Sequence, residues 1–158
     1  MENSELTHWG IKGMKWGVRR YQNKDGSLTA AGKKRYSDQT NYYKNKHSSE
    51  RYKSEAKRYT DELNEMKKIG YKKWADKNYM SDLSDKLQKK EYDNYASELK
   101  RSADSAIFWS KESKILNSRI DSIDPTSIGY KSAMKLVKQI ETQWIVDTIE
   151  KENRIRRR

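Results

Sequence analysis

Apolar side chains are sparse along this chain, and where they recur they do so at helical spacing. Tyr52, Ala56, Tyr59, Leu63 and Met66 follow one another at steps of four, three, four and three. That spacing sets them on one face of a helix, in the manner of a heptad seam. A second stripe runs Tyr92, Tyr95, Leu99, Ala106, Trp109, Leu116, Ile120 and Ile123, with Ser102 and Ser113 interrupting it at seam positions. The third and broadest carries Ala133, Leu136, Val137, Ile140, Trp144, Ile145 and Ile149. The pattern predicts helices over about 30–68, 81–123 and 125–154.

Local signals set the boundaries. Thr29 offers a side-chain oxygen to the free amides of the first turn. Residues 37–49 are rich in Ser, Asn and Lys, so a break or fraying is expected there. Gly70 is expected to end the first helix, leaving 71–80 as a connector with Trp74 as an anchor. Ser81 and Asp82 are expected to start the second helix, with Asp82 and Asp85 at the positive end of its dipole. Asp124-Pro125 stops the second helix and begins the third. The last two helices should form an antiparallel hairpin packed through Tyr95, Leu99, Trp109, Leu116, Ile120, Leu136, Ile140 and Trp144. The stripe from Tyr52 to Met66 then has no mate of similar length, which leaves a partner or a second copy of the chain to cover it.

Ahead of the helices the pattern changes character. Residues 1–7 read as a flexible leader. The next stretch, His8-Trp9-Gly10-Ile11-Lys12-Gly13-Met14-Lys15-Trp16-Gly17-Val18-Arg19-Arg20-Tyr21, holds two of the five tryptophans and three of the seven glycines. Large apolar rings next to glycines give anchors on a backbone able to bend or to lie close to another surface. Residues 18–22 and 27–28 suit short strands about Asn23-Lys24-Asp25-Gly26, a strong turn sequence. A two-stranded hairpin is marginal alone, so it should dock on a helix or a partner. The organisation expected is therefore a leader at 1–7, a Trp/Gly-rich docking motif at 8–36 and a helical body at 37–158. The fold class is mainly α: an elongated helical protein with a C-terminal antiparallel helical hairpin and a small N-terminal loop/hairpin element.

Composition narrows the picture. Of 158 residues, 33% are hydrophobic and 37% charged, enough for narrow buried seams between long helices but not for a thick core. The formal net charge of +12 favours acidic partners. No apolar run approaches the roughly 20 residues of a membrane span. The first residues lack the basic and apolar regions of a secretory signal, so the expectation is no membrane and a cytoplasmic location. With no cysteine, disulfides and thiolate metal sites are excluded.

Candidate chemistry is thin. The two histidines are His8 and His47, and the 23 carboxylates are spread among Lys and Arg at helical spacing, as on solvated faces. No residues stand at metal-ligand spacing, and Gly10, Gly13 and Gly17 lack the spacing of a phosphate loop. The expectation is a protein that is not an enzyme and uses no cofactor or metal. Two readings of the basic and aromatic residues at 12–20 stand side by side: contact with phosphates and bases, or charge that keeps a tyrosine-rich helical protein soluble. Any nucleic-acid contact should be weak, non-specific and salt-sensitive, with the C-terminal arginines adding to it.

One stretch is more specific. Residues 8–36 resemble a motif of phage and prophage proteins of Firmicutes, HxGxKGMKWGxRRYQNxDGxLTxxGxxRY, found near an end of proteins in head and structural gene neighbourhoods. The resemblance rests on His8, Gly10, Lys12, Gly13, Lys15, Trp16, Gly17, Arg19, Arg20, Tyr21, Asp25, Gly26, Leu28, Thr29, Gly32 and Tyr36, and covers under a fifth of the chain. It implies a phage-encoded protein and no mechanism. Three functions follow as expectations. The first is a virion-associated or head-assembly protein that uses the motif as a docking or packaging signal. The others are an inhibitor of a host defence or host enzyme, and a non-specific nucleic-acid-binding accessory protein. In the first two the partner is a protein, either a phage structural protein or a host protein, met in the bacterial cytoplasm or the phage particle. The contact residues expected are Trp9, Lys12, Met14, Lys15, Trp16, Arg19, Arg20 and Tyr21: aromatic and thioether anchors framed by cations that speed encounter with an acidic surface.

Overall fold

The computed structural model describes residues 21–157, and these are almost wholly helical. Five helices follow in order: α1 (Ala30–Lys46), α2 (Ser49–Lys77), α3 (Asp85–Asp121), α4 (Pro125–Ile128) and α5 (Tyr130–Arg156). Among the described residues the only strand-like pairing is one antiparallel bridge between Gln22 and Leu28. The leader at 1–7 lies outside the described residues, as do 18–20 of the first expected strand.

The long helix α3 is the spine. At 1.5 Å per residue its 37 residues span about 55 Å. Its N-terminal half packs on α2, the most extensive contact in the molecule, and its C-terminal half packs on α5 and α1. The stripe from Tyr52 to Met66 thus has an intramolecular mate, contrary to expectation. Met66, Trp74 and Leu99 form one buried cluster, with Tyr59, Leu63 and Tyr92 against it. Tyr92 Oη donates to the Met66 carbonyl at 3.1 Å and Tyr95 Oη to Glu62 at 2.5 Å, which fixes α2 and α3 as antiparallel. One helix long enough to serve two partners in succession is the arrangement that periodicity alone did not separate.

The second cluster holds the expected C-terminal hairpin: Leu116, Ile120 and Ile123 against Ala133, Met134, Val137 and Trp144. Trp109, Leu116, Ile120, Ile140 and Trp144 take the places predicted for them. Tyr95 and Leu99 do not, because their stretch of α3 faces α2. Leu136 stays 37% exposed at the edge of the seam.

Between the clusters the helices meet through small residues. Ala56, Ala103 and Ala106 are buried, and the hydroxyls of Ser49 and Ser110 lie 2.9 Å apart. Small side chains shorten the distance at which helices pack. Ser113, which looked like an interruption, is wholly buried and donates to the Trp109 carbonyl at 2.8 Å, so its hydroxyl costs no unpaired polar group.

The breaks depart from expectation in detail. The expected weak point near 37–49 is a clean stop at His47-Ser48, where the Ser48 hydroxyl accepts from the Arg51 amide and caps α2. Gly70 does leave the helical region, at φ 77 and ψ 166, but helix resumes at once and continues to Lys77. Burial of Trp74 between Met66 and Leu99, with its ring 5.7 Å from that of Tyr92, recruits those residues into the fold rather than leaving a connector. The turn to α3 then begins at Asn78, and α3 starts at Asp85 instead of Ser81. The Ser81 hydroxyl bonds to Asp76 across the turn and is not a helix cap. Asp124 caps as predicted, accepting from the Thr126 amide at 2.8 Å, but α4 is one turn long and Gly129, at φ 81, separates it from α5.

Trp144 is 1% exposed, and its indole N–H donates to the Glu112 carbonyl at 2.9 Å. Trp144→Ala should cost about 3–5 kcal/mol in urea unfolding, the usual range for a buried Trp. Leu136→Ala, on the same helix but half in solvent, should cost about 1 kcal/mol or less. Equal losses at the two positions would contradict the packing.

Candidate partner-binding surface

Residues 21–36, the second half of the motif, form a compact unit whose parts have separate reasons. Asn23 N–H donates to the Ser27 carbonyl at 2.7 Å and Thr29 N–H to the Tyr21 carbonyl at 3.2 Å, closing the hairpin. Asp25 accepts from both the amide and the hydroxyl of Ser27, and these bonds hold its carboxyl below the usual range. Gly26 takes φ 91, a conformation that favours glycine. The Thr29 hydroxyl accepts from the Gly32 amide at 3.0 Å and caps α1, as the sequence indicated. Gly32 serves a different need. A Cβ there would lie 1.9 Å from the Tyr21 carbonyl oxygen, so only glycine lets the hairpin rest on the helix.

The unit is seated on the turn between α3 and α5. Leu28 is buried. The Tyr21 ring lies 5.3 Å from that of Tyr130, the Gln22 amide sits beside Gly129, and Tyr36 Oη donates to the Ile123 carbonyl at 3.4 Å. The helix that Thr29 begins therefore lies along the body and does not carry the motif away from it. Of the predicted contact residues, Trp9, Lys12, Met14, Lys15, Trp16, Arg19 and Arg20 lie outside the described residues. Tyr21 is turned onto the body: its ring is 4.9 Å from the Arg35 guanidinium, which also donates to its hydroxyl at 2.5 Å.

Nothing in the residue pattern announces the buried polar group at the α1–α2 break. His47 caps the C-terminus of α1, bonds to Glu141 at 2.8 Å and meets the edge of the Trp144 ring at 4.8 Å. Lys46 reaches the same carboxylate at 2.9 Å. Burial lifts the Glu141 carboxyl, but the hydrogen bonds from Lys46 and His47 and the Lys46 charge together outweigh it, leaving the group below its ordinary 4.5. Glu141 and His47 are buried where α1 meets α5, and the carboxylate ties the end of α1 to α5 as a joint between helices. No cluster of three or more potential metal ligands occurs among the described residues, and none of their helices is long and apolar enough to cross a membrane.

Set against known proteins, residues 2–23 match DUF7211, a family of unknown function. That match takes in the Trp/Gly-rich half of the motif and stops where the hairpin begins. No curated protein and no solved structure matches the chain.

Two outcomes follow from this geometry. Gly32→Ala should lift the hairpin from α1, destabilise the fold by about 1–3 kcal/mol as overpacking does, and speed native-state tryptic cleavage after Lys24. Unchanged cleavage would mean that the hairpin does not rest on Gly32. Glu141 has a lower carboxyl value folded than unfolded, so the stability it contributes is complete above its ordinary value and is lost as pH falls through the folded one. Chemical denaturation measured between about pH 6 and 3 should therefore show a shallower acid loss for Glu141→Gln than for the parent chain.

Proposed function

We propose that this chain is a phage-encoded, non-enzymatic docking protein, virion-associated or acting in head assembly. In this reading residues 8–20 supply the contact, with Trp9, Met14 and Trp16 as anchors and Lys12, Lys15, Arg19 and Arg20 setting register against an acidic protein surface. The observation that carries it is the division within the motif. Residues 21–36 are accounted for by the turn, the cap and the close approach at Gly32, all of which fasten the motif to the body. A short recognition segment tethered at a fixed point presents its anchors from a known origin and avoids part of the cost of ordering. The resemblance of the motif to phage head-neighbourhood proteins supplies the setting, and the bacterial cytoplasm and the particle are the places where the protein would act.

The test follows the full chain into purified phage particles. The parent should be found there by mass spectrometry. A Trp9→Ala/Trp16→Ala variant should be lost from particles at least tenfold while its thermal unfolding stays unchanged. A variant that unfolds early would assign the tryptophans to the chain's own packing. A parent absent from particles and recovered instead with one host protein would establish the inhibitor reading in its place.

A further inference from the structure

Ion pairs cover part of the positive surface among the described residues. Lys53, Lys77 and Lys72 pair with Glu50, Glu65 and Asp85, Lys44 with Asp121, Lys151 with Glu112, and Arg154 and Arg156 with Glu150 and Glu152. A groove between α1 and α5, about 710 Å³ in volume, gathers cations that lie outside those pairs. Arg35, Lys131, Lys135 and Lys138 line it together with Tyr42 and Tyr130, and Asp38 is its single carboxylate. None of these four cations enters an ion pair among the described residues. The α5 side of the groove brings no carboxylate, because the sequence has no Asp or Glu from 125 to 140.

We propose that this groove binds single-stranded nucleic acid, with its cations on the phosphates and its tyrosines against the bases. Three observations bear on it. Lys131, Lys135 and Lys138 are spaced by four and three on one face of α5, so their stems climb the helix in steps of about 6 and 4.5 Å, a ladder on the scale of successive phosphates. Lys131 lies in the first turn of α5, at the positive end of the helix dipole, where a cation weakens the helix. Helix stability therefore gives no reason for a cation there. Tyr42 is 63% exposed and stands edge-on to Tyr43 at 5.4 Å, which leaves a ring face free for stacking. A cationic groove with exposed rings is the arrangement by which single strands are held without sequence preference, because every base offers a flat face and every link a charge. An acidic peptide would satisfy the lysines but gives the ring nothing to stack on. The groove ends at Tyr130 and Arg35, the residues that hold Tyr21, and Arg19 and Arg20 precede Tyr21 in the sequence. Nucleic-acid binding here is compatible with either outcome for docking through Trp9 and Trp16.

The measurement is fluorescence anisotropy of the full chain with labelled oligothymidylate and oligouridylate of about 16 nucleotides. Lys131→Gln/Lys135→Gln/Lys138→Gln should raise Kd about 10- to 100-fold at about 0.1 M salt and flatten the salt dependence by about two in log–log slope. Lys100→Gln/Lys111→Gln/Lys114→Gln removes the same charge from exposed positions of α3 and should change Kd by less than about threefold. Tyr42→Ala should weaken binding and Tyr42→Phe should restore it, with all variants melting as the parent does. Equal losses from the two lysine triples would show diffuse attraction and overturn the groove. So would displacement of the strand by polyglutamate at equal charge combined with no effect of Tyr42→Ala, an outcome that would make this an acidic-protein surface.

Discussion

The fold depends on one crossing, where Trp144 enters between the end of α1 and the middle of α3. Its ring meets His47 at 4.8 Å on one side and Trp109 at 5.6 Å on the other, and Trp109 in turn lies 6.1 Å from Tyr52. Four rings in series thus tie α1, α5, α3 and α2. A chain with 33% hydrophobic residues cannot fill a thick core with aliphatic side chains, so a few large rings provide the burial that many small ones provide elsewhere. The two indoles also bring a polar atom inside. The indole of Trp144 donates to the Glu112 carbonyl and that of Trp109 to Glu152, so the crossing is fixed in direction as well as in depth.

The same crossing explains why α1 and α2 are separate helices. A continuous helix from Ala30 to Lys77 would carry helical backbone through His47, where the ring instead turns inward to Glu141. The Ser48 cap restarts the helix so that Tyr52, Ala56 and Met66 face α3. The Glu141 carboxylate balances this local rearrangement, receiving His47 from the break and Lys46 from the last turn of α1. Removing one partner of such a buried group costs more than the pair contributes, because the other is left desolvated. The break is therefore held from both sides, by packing on the ring and by the carboxylate behind it.

What could be read from the sequence was whatever repeats. Stripes at steps of three and four marked Met66, Leu116, Ile120, Val137 and Trp144 as buried, and the caps at Thr29 and Asp124 were visible as single residues with a fixed chemical task. Tertiary choices were not legible. Periodicity says which face of α3 is apolar, but its buried positions drift around the helix, Leu99 toward α2 and Leu116 and Ile120 toward α5, and nothing local announces the change of partner. Gly70 illustrates the reverse error. Its conformation was foreseeable, while the burial of Trp74 beyond it, which draws the chain back into helix, is a long-range effect. In the motif, Gly32 could be recognised but not explained, since its reason is a carbonyl eleven residues earlier.

The distribution of charge carries more meaning than its sum. Like charges brought together in a fold cost stability by mutual repulsion, and the acids that would relieve that cost are available in number. On α2 and in the last turns of α5 some of them are used: these ion pairs are exposed, and each contributes little beyond neutralising its neighbour. One side of the molecule gathers Arg35 and three lysines beside the seat of Tyr21 with Asp38 as the one carboxylate lining the groove, and one of the lysines stands at the wrong end of a helix. Four cations about one groove give a local positive field, and such a field attracts an anion most strongly where low-dielectric walls focus it. This charge thus lies beside Tyr21, where the hairpin is seated on the body.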